Sequence, residues 1–531
     1  MIRVNNIHLS LNYDDKSVRK AVAQQLRIEE KSIKSCKIFR RSVDARKKDN
    51  IYFLTTVDAE LNINEDKICK KCGNAQIARK YEYNQMKFGN ASSPVVVGAG
   101  PAGLFAALIL ARSGANPILI ERGRDVDRRT ADVNRFWTSG QLDTTSNVQF
   151  GEGGAGTFSD GKLNSGTKDI RQRKVLEEFV SHGAPDEILY NAKPHIGTDM
   201  LKGTIKNIRN EIIELGGRVM FETKLVSMAF SDNKLKSITV ETANGDEIIE
   251  TDNVILAIGH SARDTFEMLY DLKLPIEAKS FSVGARIEHL RQKVDKAQYG
   301  RFAGNKKLGS ANYKLSTHLD NGRGVYTFCM CPGGKVINAS SEENRLCTNG
   351  MSEFARDAEN SNSALLVGIN PNDYESDHPL AGMYLQRKLE SKAFVAGGEN
   401  YNAPIQRVDD FLNNRKSTHL SDVKPSIGPN YEFSNLNEIL PEYISTSMAQ
   451  GIVKMGRMLH GFDDGDAVLT GVESRSSSPV RIMRKTDTLE SILIEGLYPC
   501  GEGAGYAGGI ISAAVDGIKC AEKIIEKSNK N

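Results

Sequence analysis

The 531-residue sequence predicts an α/β fold in which a Rossmann-like domain is split by an insertion. A strand, a glycine-rich turn and a helix follow one another over residues 94–123, and the same order returns over 496–527. Between these segments, strands alternate with polar loops without a repeated βα pattern, which is typical of a mixed, largely antiparallel domain. We therefore predict four segments: a small α+β module at 1–90, a discontinuous dinucleotide-binding domain at 91–279 and 491–531, and an inserted substrate domain at 280–490.

The N-terminal module is predicted from short alternating segments. Ile2–Leu11 alternates like a strand, Ser17–Leu26 has the pattern of a helix, and Asn50–Val57 is a second strand. Residues 1–80 contain 18 Lys and Arg against 10 Asp and Glu, although the whole chain has a net charge of only +3. This excess indicates either a nucleic-acid face or an ordinary solvated surface. Because the basic residues are scattered and lack the aromatic signature of RNA-binding modules, we favour the surface and do not expect nucleic acid as a partner.

The segment PVVVGAGPAGLFAALILARSGANPILIERG, residues 94–123, carries the strongest motif of the chain. A β-branched strand leads into G-x-G-x-x-G, an Ala- and Leu-rich helix follows, and a second buried strand ends at an acidic residue. A G-x-G-x-x-G alone is weak evidence, but this one lies in the complete strand–turn–helix–strand context. The segment therefore predicts a dinucleotide site.

Each residue of the motif has a distinct expected role. Gly98 makes the tight turn, Gly100 lets the backbone approach a pyrophosphate, and Gly103 lets the helix pack closely on the strand. The helix N-terminus offers free N–H groups and a partial positive charge to phosphates. Glu121 follows Gly103 by 18 residues, close to the spacing of a carboxylate that accepts from ribose hydroxyls.

The rest of this domain is predicted from a glycine run, a helix and a meander. The run at 151–161 contains GEGGAG, but no buried strand precedes it, so we expect a loop that folds back over the first cofactor site rather than a second one. Met200–Leu215 is a predicted helix, residues 218–250 a β-meander, and Asn253–Ile258 a buried strand that ends at Gly259.

The C-terminal segment is predicted to complete the same domain. Leu497–Pro499 is a short strand, Gly501–Gly509 a glycine-rich turn and Ile510–Lys527 a helix. A long cofactor such as FAD needs a second site for its flavin end, and free N–H groups at Gly508 and Gly509 could face the flavin pyrimidine ring. The alternative is a plain C-terminal helix with glycine-rich packing.

Composition indicates a globular protein of a reducing compartment. Hydrophobic residues make up 39% and charged residues 26% of the chain, and no segment has the length and apolarity of a membrane span. The N-terminus lacks the apolar stretch of a secretory signal. Eight cysteines without such a signal indicate free thiols, so we expect a cytoplasmic protein with no membrane partner.

Four longer motifs, GVYTFCMCPGG, NGMS, SSSPVRI and GLYPCGEGAGYAGGI, resemble an uncharacterised family of bacterial FAD-dependent dehydrogenases, also described as NAD(P)/FAD-dependent oxidoreductases. The layout resembles the wider glutathione-reductase-like FAD superfamily. The resemblance implies a non-covalent FAD, a reaction class without a named substrate, and these cofactor residues: Gly98, Gly100, Pro101, Ala102 and Gly103 at the pyrophosphate; Glu121 beside Arg122 at the adenosine ribose; Gly156 and Thr157 in the glycine-rich loop; Val226 at the adenine; Gly259; Gly501 and Glu502 at the ribityl chain; and Gly508, Gly509 and Ile510 at the flavin.

The expected reaction is hydride transfer through flavin N5 to or from a small organic substrate, with NAD(P)H as a transient donor. Arg475 is expected to line the substrate side of the flavin ring, while Arg481 braces the loop. His318 is a candidate proton donor and His260 either a cofactor neighbour or a loop histidine. The alternative from a different class is an RNA-associated flavoprotein that docks nucleic acid through the N-terminal module. Reaction direction and oligomeric state stay open.

The cysteines allow two further interpretations. Cys329 and Cys331 form a C-x-C that is either a redox pair or a pair of buried, pocket-lining side chains, and we favour the second. Cys69 and Cys72 have the spacing of zinc ligands, but no second pair lies nearby, so no metal is expected.

Overall fold

The computed structural model describes residues 1–89, 91–166 and 168–530. The N-terminal module has the order strand, helix, strand, strand, helix, strand: β1 (Ile2–Leu9), α1 (Asp15–Leu26), β2 (Ile33–Asp44), β3 (Tyr52–Leu61), α2 (Glu65–Lys71) and β4 (Ala75–Ile77). Its sheet has the strand order β2-β3-β1-β4 with antiparallel neighbours, which is the ferredoxin-like βαββαβ arrangement. Alternate residues of β1 are buried, while Asp14 caps α1 by accepting from the Ser17 N–H.

The first part of the Rossmann-like domain contains twelve elements: β5 (Val95–Val97), α3 (Pro101–Ser113), β6 (Ile118–Ile120), α4 (Val126–Ser139), α5 (Arg171–Ser181), α6 (Thr198–Glu214), β7 (Arg218–Met220), β8 (Lys224–Ser231), β9 (Lys234–Thr242), β10 (Gly245–Glu250), β11 (Val254–Leu256) and α7 (Arg263–Asp271). Strands β8 to β10 form the predicted antiparallel meander.

The inserted domain follows with β12 (Ile276–Ala278), β13 (Phe281–Leu290), α8 (Arg291–Tyr299), β14 (Ser316–His318), β15 (Gly324–Cys331), β16 (Lys335–Asn338), β17 (Thr348–Met351), β18 (Asn360–Ile369), α9 (Ala381–Ala396), β19 (Ala403–Arg407), α10 (Val408–Leu412), β20 (Tyr431–Phe433), α11 (Leu436–Ile439), α12 (Glu442–Gly456), β21 (Val468–Glu473) and β22 (Val480–Ile482). Its main sheet has the order β14-β15-β18-β13-β21-β19-β20, and every pair is antiparallel except β19 and β20. The prediction of a mixed, largely antiparallel insertion is confirmed.

The chain then returns to the first domain through β23 (Leu497–Pro499) and α13 (Ile510–Ser528). Strand β23 is the edge of a five-stranded parallel sheet with the order β23-β11-β5-β6-β7. This sheet confirms the discontinuous Rossmann-like domain of the predicted α/β fold. Strand β22 pairs with β12, so both ends of the insertion are tied together beside the parallel sheet.

Two glycines allow close packing, Gly517 where α13 lies against α3 and Gly103 where α3 lies against the turn after β5. A Cβ on Gly517 of α13 would lie 2.0 Å from the carbonyl oxygen of Ala102, and a Cβ on Gly103 would lie 1.8 Å from the carbonyl oxygen of Gly98. Both contacts are closer than any side chain permits, so glycine is required at these two positions. The close packing fixes the N-terminal ends of both helices toward the carboxyl edge of the sheet.

The segment before β5 packs on the Rossmann-like domain. The Tyr83 hydroxyl donates to Glu522 over 2.9 Å, and the backbone N–H of Phe88 donates to the Ser113 carbonyl over 2.9 Å. The predicted domain boundary at residue 90 falls on Asn90, which lies outside the described residues. Within the described part of the chain, no helix is both long and apolar enough to cross a membrane.

Candidate active site

A cleft of about 350 Å³ lies at the carboxyl edge of the parallel sheet. Residues that directly follow β5, β6 and β11 line one side, and residues of the inserted domain line the other. In open α/β sheets this edge is where ligands bind, because helix N-termini and loops converge there.

The first glycine corner has the geometry of a phosphate site. Gly98 has φ +101°, and its N–H donates to the Ile120 carbonyl over 2.8 Å. At Gly100 an added Cβ would find its nearest protein atom, the Cα of Gly154, 3.9 Å away, so the space beside this residue is open. Gly100 also precedes α3 without any side-chain cap, which leaves the first N–H groups of the helix free. Pro101 and Ala102 line the cleft, whereas Gly103 lies below it in the helix packing.

Glu121 ties three backbone segments together at the edge of the cleft. Its carboxylate accepts from the N–H groups of Ala99 over 2.8 Å, Gly123 over 2.9 Å and Gly151 over 2.9 Å. A carboxylate has about four acceptor positions, so one remains for a ligand hydroxyl. The residue that the sequence assigns to the ribose therefore also holds the glycine-rich loop at 151–156 against the first corner.

Arg122 lines the cleft but its charge is compensated. The guanidinium binds Asp264 through two hydrogen bonds of 3.1 and 3.0 Å and lies 4.4 Å from the centre of the Phe150 ring. Burial alone would raise the pKa of Asp264, but Arg122 and Lys224 outweigh it and hold that pKa below its ordinary value. Arg122 is thus a wall residue held in place by an acid.

Besides Gly103, three of the sequence-predicted cofactor residues are not in the cleft lining. Thr157 is buried, and its hydroxyl donates to the Glu152 carbonyl over 3.2 Å. Val226 lies at a bulge of β8, where the pairing with β9 shifts between Leu225 and Ser227. Thr223 and Leu225 line the cleft instead. The third, Gly501, has φ +76° and donates its N–H to Asp516 over 2.8 Å, so it shapes the turn rather than the cleft wall.

The second glycine corner opens into the same cleft. Gly508 and Gly509 precede α13, and an added Cβ on either one would meet no atom within 4 Å. Gly259, at φ +70°, is equally open. Gly156 and Ile510 complete this side, where the Ile510 side chain approaches the position of a Gly156 Cβ to 3.2 Å. Two uncapped helix N-termini and open glycine backbone on one cleft fit a long dinucleotide with a planar end group, and FAD has this shape.

The inserted domain contributes the opposite wall. Cys329 and Phe328 come from the end of β15, Glu473 from β21, and Arg475 and Ser476 from the loop that follows. None of these except Arg475 was singled out as catalytic from sequence. The sequence signal for Glu473 is that it lies only two residues before Arg475. Whether its side chain faces the cleft, however, depends on how the strands of the sheet pair.

Arg475 has a more structural place than the sequence indicates. It lines the cleft, yet its guanidinium donates to both oxygens of the buried Glu390 over 2.9 and 2.8 Å and to the Ser341 hydroxyl over 2.6 Å. Arg263 binds the same Glu390 from the other side, with two bonds of 2.7 Å. Arg475 is therefore a residue of the cleft wall whose guanidinium is held in a buried ion network.

The two histidines differ in position. His318 lies on the exposed edge strand β14 and does not line the cleft, which removes the reason for considering it a proton donor. His260 does line the cleft, where burial and the nearby charge of Arg475 lower its pKa to about 3. It is neutral at physiological pH. Arg481 stacks near Tyr506, 5.4 Å from the ring centre, and its Nη2 approaches the Gly505 carbonyl, as expected of a loop brace.

Two acids in the cleft, the buried Glu473 and the partly buried Glu502, have raised pKa values. Burial raises the pKa of Glu473 to about 7, opposed by its ion pair with Arg286. Burial also raises the pKa of Glu502 to about 7, opposed by Lys279. Both side chains exchange protons near neutral pH, which is a property of acid–base groups in active sites.

Among the described residues, one group of potential metal ligands comes together, formed by Cys500, Asp516 and Cys520. Asp516 already accepts two hydrogen bonds from Arg484, over 2.9 and 2.7 Å, so the Arg484 guanidinium neutralises its charge. Cys72, of the predicted C-x-x-C, donates to the Gln25 carbonyl over 3.5 Å.

Comparisons with known proteins agree with this geometry. Residues 92–132 match an FAD binding domain, residues 280–476 match the C-terminal domain of FAD-dependent proteins, and residues 1–60 match a domain of unknown function, DUF8436. Among solved structures, the flavin-dependent brominase Bmp2 is similar at 12% identity and a TM-score of 0.37, over 83% of this chain and 80% of that one. A geranylgeranyl bacteriochlorophyll reductase-like protein of Thermoplasma acidophilum is similar at 12% identity and a TM-score of 0.36, over 84% and 83%.

The similarity to an uncharacterised protein of Clostridium beijerinckii extends over nearly the whole length. The two sequences are 49% identical over 532 residues, which is 99% of both chains. The two FAD-related domain matches and the open glycine corners identify the cofactor as FAD. The chain belongs to the same family of FAD-dependent proteins as this Clostridium protein.

Proposed function

We propose that this flavoenzyme transfers a hydride between flavin N5 and a small organic substrate held between the two domains. The observation that supports this proposal is that the glycine corners and the polar wall of the inserted domain face one cleft. A substrate in that cleft would therefore lie beside the flavin end of the cofactor. The inserted domain supplies the groups that select it.

The residues of the Rossmann-like domain have binding roles in this proposal. Gly98 and Gly100 would allow the pyrophosphate to bind next to the N-terminus of α3, and Glu121 would offer its free acceptor position to the ribose. Gly508 and Gly509 would allow the flavin end to bind beside the N-terminus of α13, whose partial positive charge favours negative charge on the flavin. Bound FAD supplies a two-electron carrier, which no amino-acid side chain in the cleft provides alone.

Titratable residues from both domains hold and move protons in the cleft. Glu473 and Glu502, with pKa values of about 7, can each give or take a proton at neutral pH. Lys162 also lines the cleft and pairs with Asp160 over 3.0 Å. A fixed cation of this kind stabilises negative charge that develops on a substrate.

A nicotinamide is proposed as a transient electron donor. The glycine run at 151–161 forms a short 3₁₀ helix over Gly154–Phe158 and lies against the first corner. It has no preceding strand that would build a second dinucleotide site. A donor would therefore enter the substrate side of the cleft and leave after reduction.

The RNA-associated alternative lacks a favouring observation. On the N-terminal sheet, Arg3 pairs with Asp58 over 2.7 Å, and Arg46 is bound to Asp44, so these two arginines already have acidic partners. Cytoplasmic location is likewise a proposal, supported by eight cysteines that are all free thiols.

The test is anaerobic stopped-flow spectroscopy of the holoprotein. Flavin absorbance is followed on mixing with NADH, with NADPH and with a panel of alcohols, amines and 2-hydroxy acids, and the reduced protein is then mixed with oxidised partners. A hydride transfer enzyme bleaches or recovers its flavin absorbance with at least one member at a saturable rate. A flavin that responds to none of them contradicts the proposal.

A further inference from the structure

Cys329 and Cys331 are placed by an irregularity of β15. Phe328 pairs with Ala364 of β18, but the next pair joins Cys331 to Asn362, so one extra residue bulges from β15. Cys329 lies in this bulge with φ +41° and lines the cleft, while Cys331 is fully buried behind it. The bulge therefore presents one thiol to the cleft and keeps the second close behind.

The spacing of the two cysteines is compatible with a reversible disulfide bond. Two residues of fully extended chain span about 7 Å. Bridged cysteines have Cα atoms about 4.4–6.8 Å apart, so an extended C-x-C is at the limit. A bulge with a positive φ shortens this span. In the present state, both thiols are free and the Cys331 Sγ donates to the Cys329 carbonyl over 3.3 Å.

Two cations flank this pair. Arg286 is fully buried, and its Nη2 donates to the Cys329 carbonyl over 2.8 Å and lies 3.6 Å from the Cys331 Sγ. Lys162 approaches from the Rossmann-like domain, with its Nζ 3.9 Å from the Cys331 Sγ. Thiolates are stabilised by fixed positive charge in this range. A bulge that turns the Cys329 thiol into the cleft and sets the Cys331 thiol beside two cations is not needed for packing alone.

The ionisation of the pair follows the same geometry. A hydrogen bond between the two thiols lowers the pKa of Cys329 well below its ordinary value, and Lys162 and Arg286 act in the same direction against burial. The pKa of Cys331 is raised, first by that hydrogen bond and then by burial. The exposed sulfur therefore carries the negative charge, and the buried sulfur keeps its proton.

We propose that Cys329 and Cys331 form a dithiol–disulfide couple that reduces a low-molecular-weight disulfide in the cleft, with Cys329 as the attacking sulfur and Cys331 as the resolving sulfur. This rests on the proposed function in that it takes the cleft as the reaction site. It names the substrate class that the opposite wall selects.

The exchange balances in two steps. The Cys329 thiolate attacks one sulfur of R–S–S–R, the S–S bond breaks, and RS⁻ leaves to take a proton from solvent. Cys331 then loses its proton to solvent, its sulfur attacks the Cys329 sulfur of the mixed disulfide, and the second RS⁻ leaves and is protonated. The two cysteines are oxidised by two electrons, and the substrate disulfide is reduced to two thiols.

The other cysteines provide internal controls. Cys347 is buried, and burial raises its pKa to about 12. Cys36 is only half-buried on β2, and burial raises its pKa as well. Accessibility alone would make Cys36 and Cys329 comparable, whereas the proposed cation pair distinguishes them.

The experiment follows thiols by mass spectrometry in the pre-reduced, anaerobic holoprotein. The protein is mixed with 2-hydroxyethyl disulfide at pH 7, quenched with acid, alkylated and digested with trypsin. Both cysteines fall in one peptide, residues 324–335, whose mass drops by two hydrogens when they are bridged. Because an ordinary thiol is only a few per cent ionised at this pH, Cys329 is expected to react about tenfold or more faster than Cys36.

Two variants separate the roles. Cys331→Ser is expected to stop at the mixed disulfide, with hydroxyethylthiol attached to Cys329, and Cys329→Ser is expected to leave residue 331 unmodified. Cys36→Ser should behave as wild type. Wild-type protein in which Cys329 reacts no faster than Cys36, or in which the mixed disulfide never resolves, overturns the inference even if a variant fails to fold.

This outcome is independent of the flavin spectra. A protein whose flavin responds to donors but whose Cys329 is inert loses only the inference. A protein whose dithiol exchanges while its flavin responds to no donor or acceptor loses only the proposed function.

Discussion

Arg475 and Glu390 form a buried bidentate ion pair, in which Nε donates to Oε1 over 2.9 Å and Nη2 donates to Oε2 over 2.8 Å. The Arg475 side chain is 5% exposed and that of Glu390 is fully buried. The Arg475 and Arg263 charges outweigh the effect of burial and hold the pKa of Glu390 below its ordinary value. This pair joins helix α9 to the loop after β21 and so fixes the inserted-domain wall of the cleft.

The first prediction concerns this pair. Arg475→Ala should lower the free energy of unfolding by about 3 kcal/mol, because a buried carboxylate loses one of its two guanidinium partners. Arg481→Ala, on the following strand β22, is the matched control and should change the free energy of unfolding by less than about 1 kcal/mol, since its one described side-chain hydrogen bond is 3.5 Å long. Guanidinium chloride unfolding of both holoproteins measures this. Equal stabilities for the two variants would contradict the structural role of Arg475.

The glycine corner predicts opposite effects at neighbouring positions. Gly100→Val should leave the chain folded but abolish FAD binding, because the new side chain takes the open space of the phosphate approach. Gly103→Ala should prevent folding, because its Cβ would meet the Gly98 carbonyl at 1.8 Å. Gly203→Ala, in a helix with no atom within 4 Å of the new Cβ, is the neutral control.

Circular dichroism and flavin content per chain distinguish these cases. If Gly100→Val retained stoichiometric FAD, the corner would not be the pyrophosphate site. The released cofactor should stay in the supernatant after acid precipitation, since the expected attachment is non-covalent.

Glu502 predicts a pH dependence of stability. Burial raises its pKa to about 7 in the folded chain, from an ordinary value of 4.5. The folded state therefore binds the proton more tightly than the unfolded state, and the stability contributed by this group is present below about pH 4.5 and lost as the pH rises toward 7. Glu502→Gln should raise the melting temperature at pH 8 and change it little at pH 5.

Glu495→Gln is the control of opposite sign. Lys527 lowers the pKa of Glu495, so this carboxylate stabilises the fold when charged, and its loss should slightly lower the melting temperature at pH 8. Differential scanning fluorimetry of the holoprotein at both pH values measures the two variants together. A Glu502→Gln variant that is less stable at pH 8 would show that the carboxylate is stabilised as an anion.

The N-terminal module is predicted to be dispensable for FAD binding if the cut is placed correctly. No residue of 1–77 lines the cleft, whereas Phe88 and Gly89 bind Ser113 and Ser528 at the ends of α3 and α13. A chain that begins at residue 78 should therefore bind FAD with unchanged stoichiometry. A chain that begins at residue 94 should bind it more weakly and melt earlier, because both contacts are lost.

Flavin titration by fluorescence measures the affinity of the two shortened chains. Loss of FAD from the chain that begins at residue 78, while it remains folded by circular dichroism, would contradict the independence of the module.

The Rossmann-like part of the fold could be predicted because its signals are local. Gly98, Gly100 and Gly103 lie within six residues, and their required backbone conformations are properties of the residues themselves. The buried strands and the C-terminal helix follow from apolar runs of the correct length. These features need no knowledge of distant contacts.

The opposite wall could not be predicted because it is assembled by sheet pairing. Arg286 and Glu473 are 187 residues apart and meet only because β13 pairs with β21. Lys162 reaches Cys331 from another domain. His318 was considered because of its polar surroundings, and the sequence does not indicate that its strand is an exposed edge. Arg475 can be predicted to line the cleft, but its partner Glu390 lies on helix α9, and no sequence pattern links the two residues.

The position of β23 and α13 constrains when the cofactor can be acquired. These elements follow the inserted domain in the chain, yet they form one edge of the parallel sheet and one of the two open glycine corners. A nascent chain that has emerged as far as the inserted domain has the first corner but not the second. Domains generally fold as they emerge during synthesis. The cofactor site is consequently complete only after β23 and α13 have been synthesised, and a chain that stops before residue 497 has only the first glycine corner.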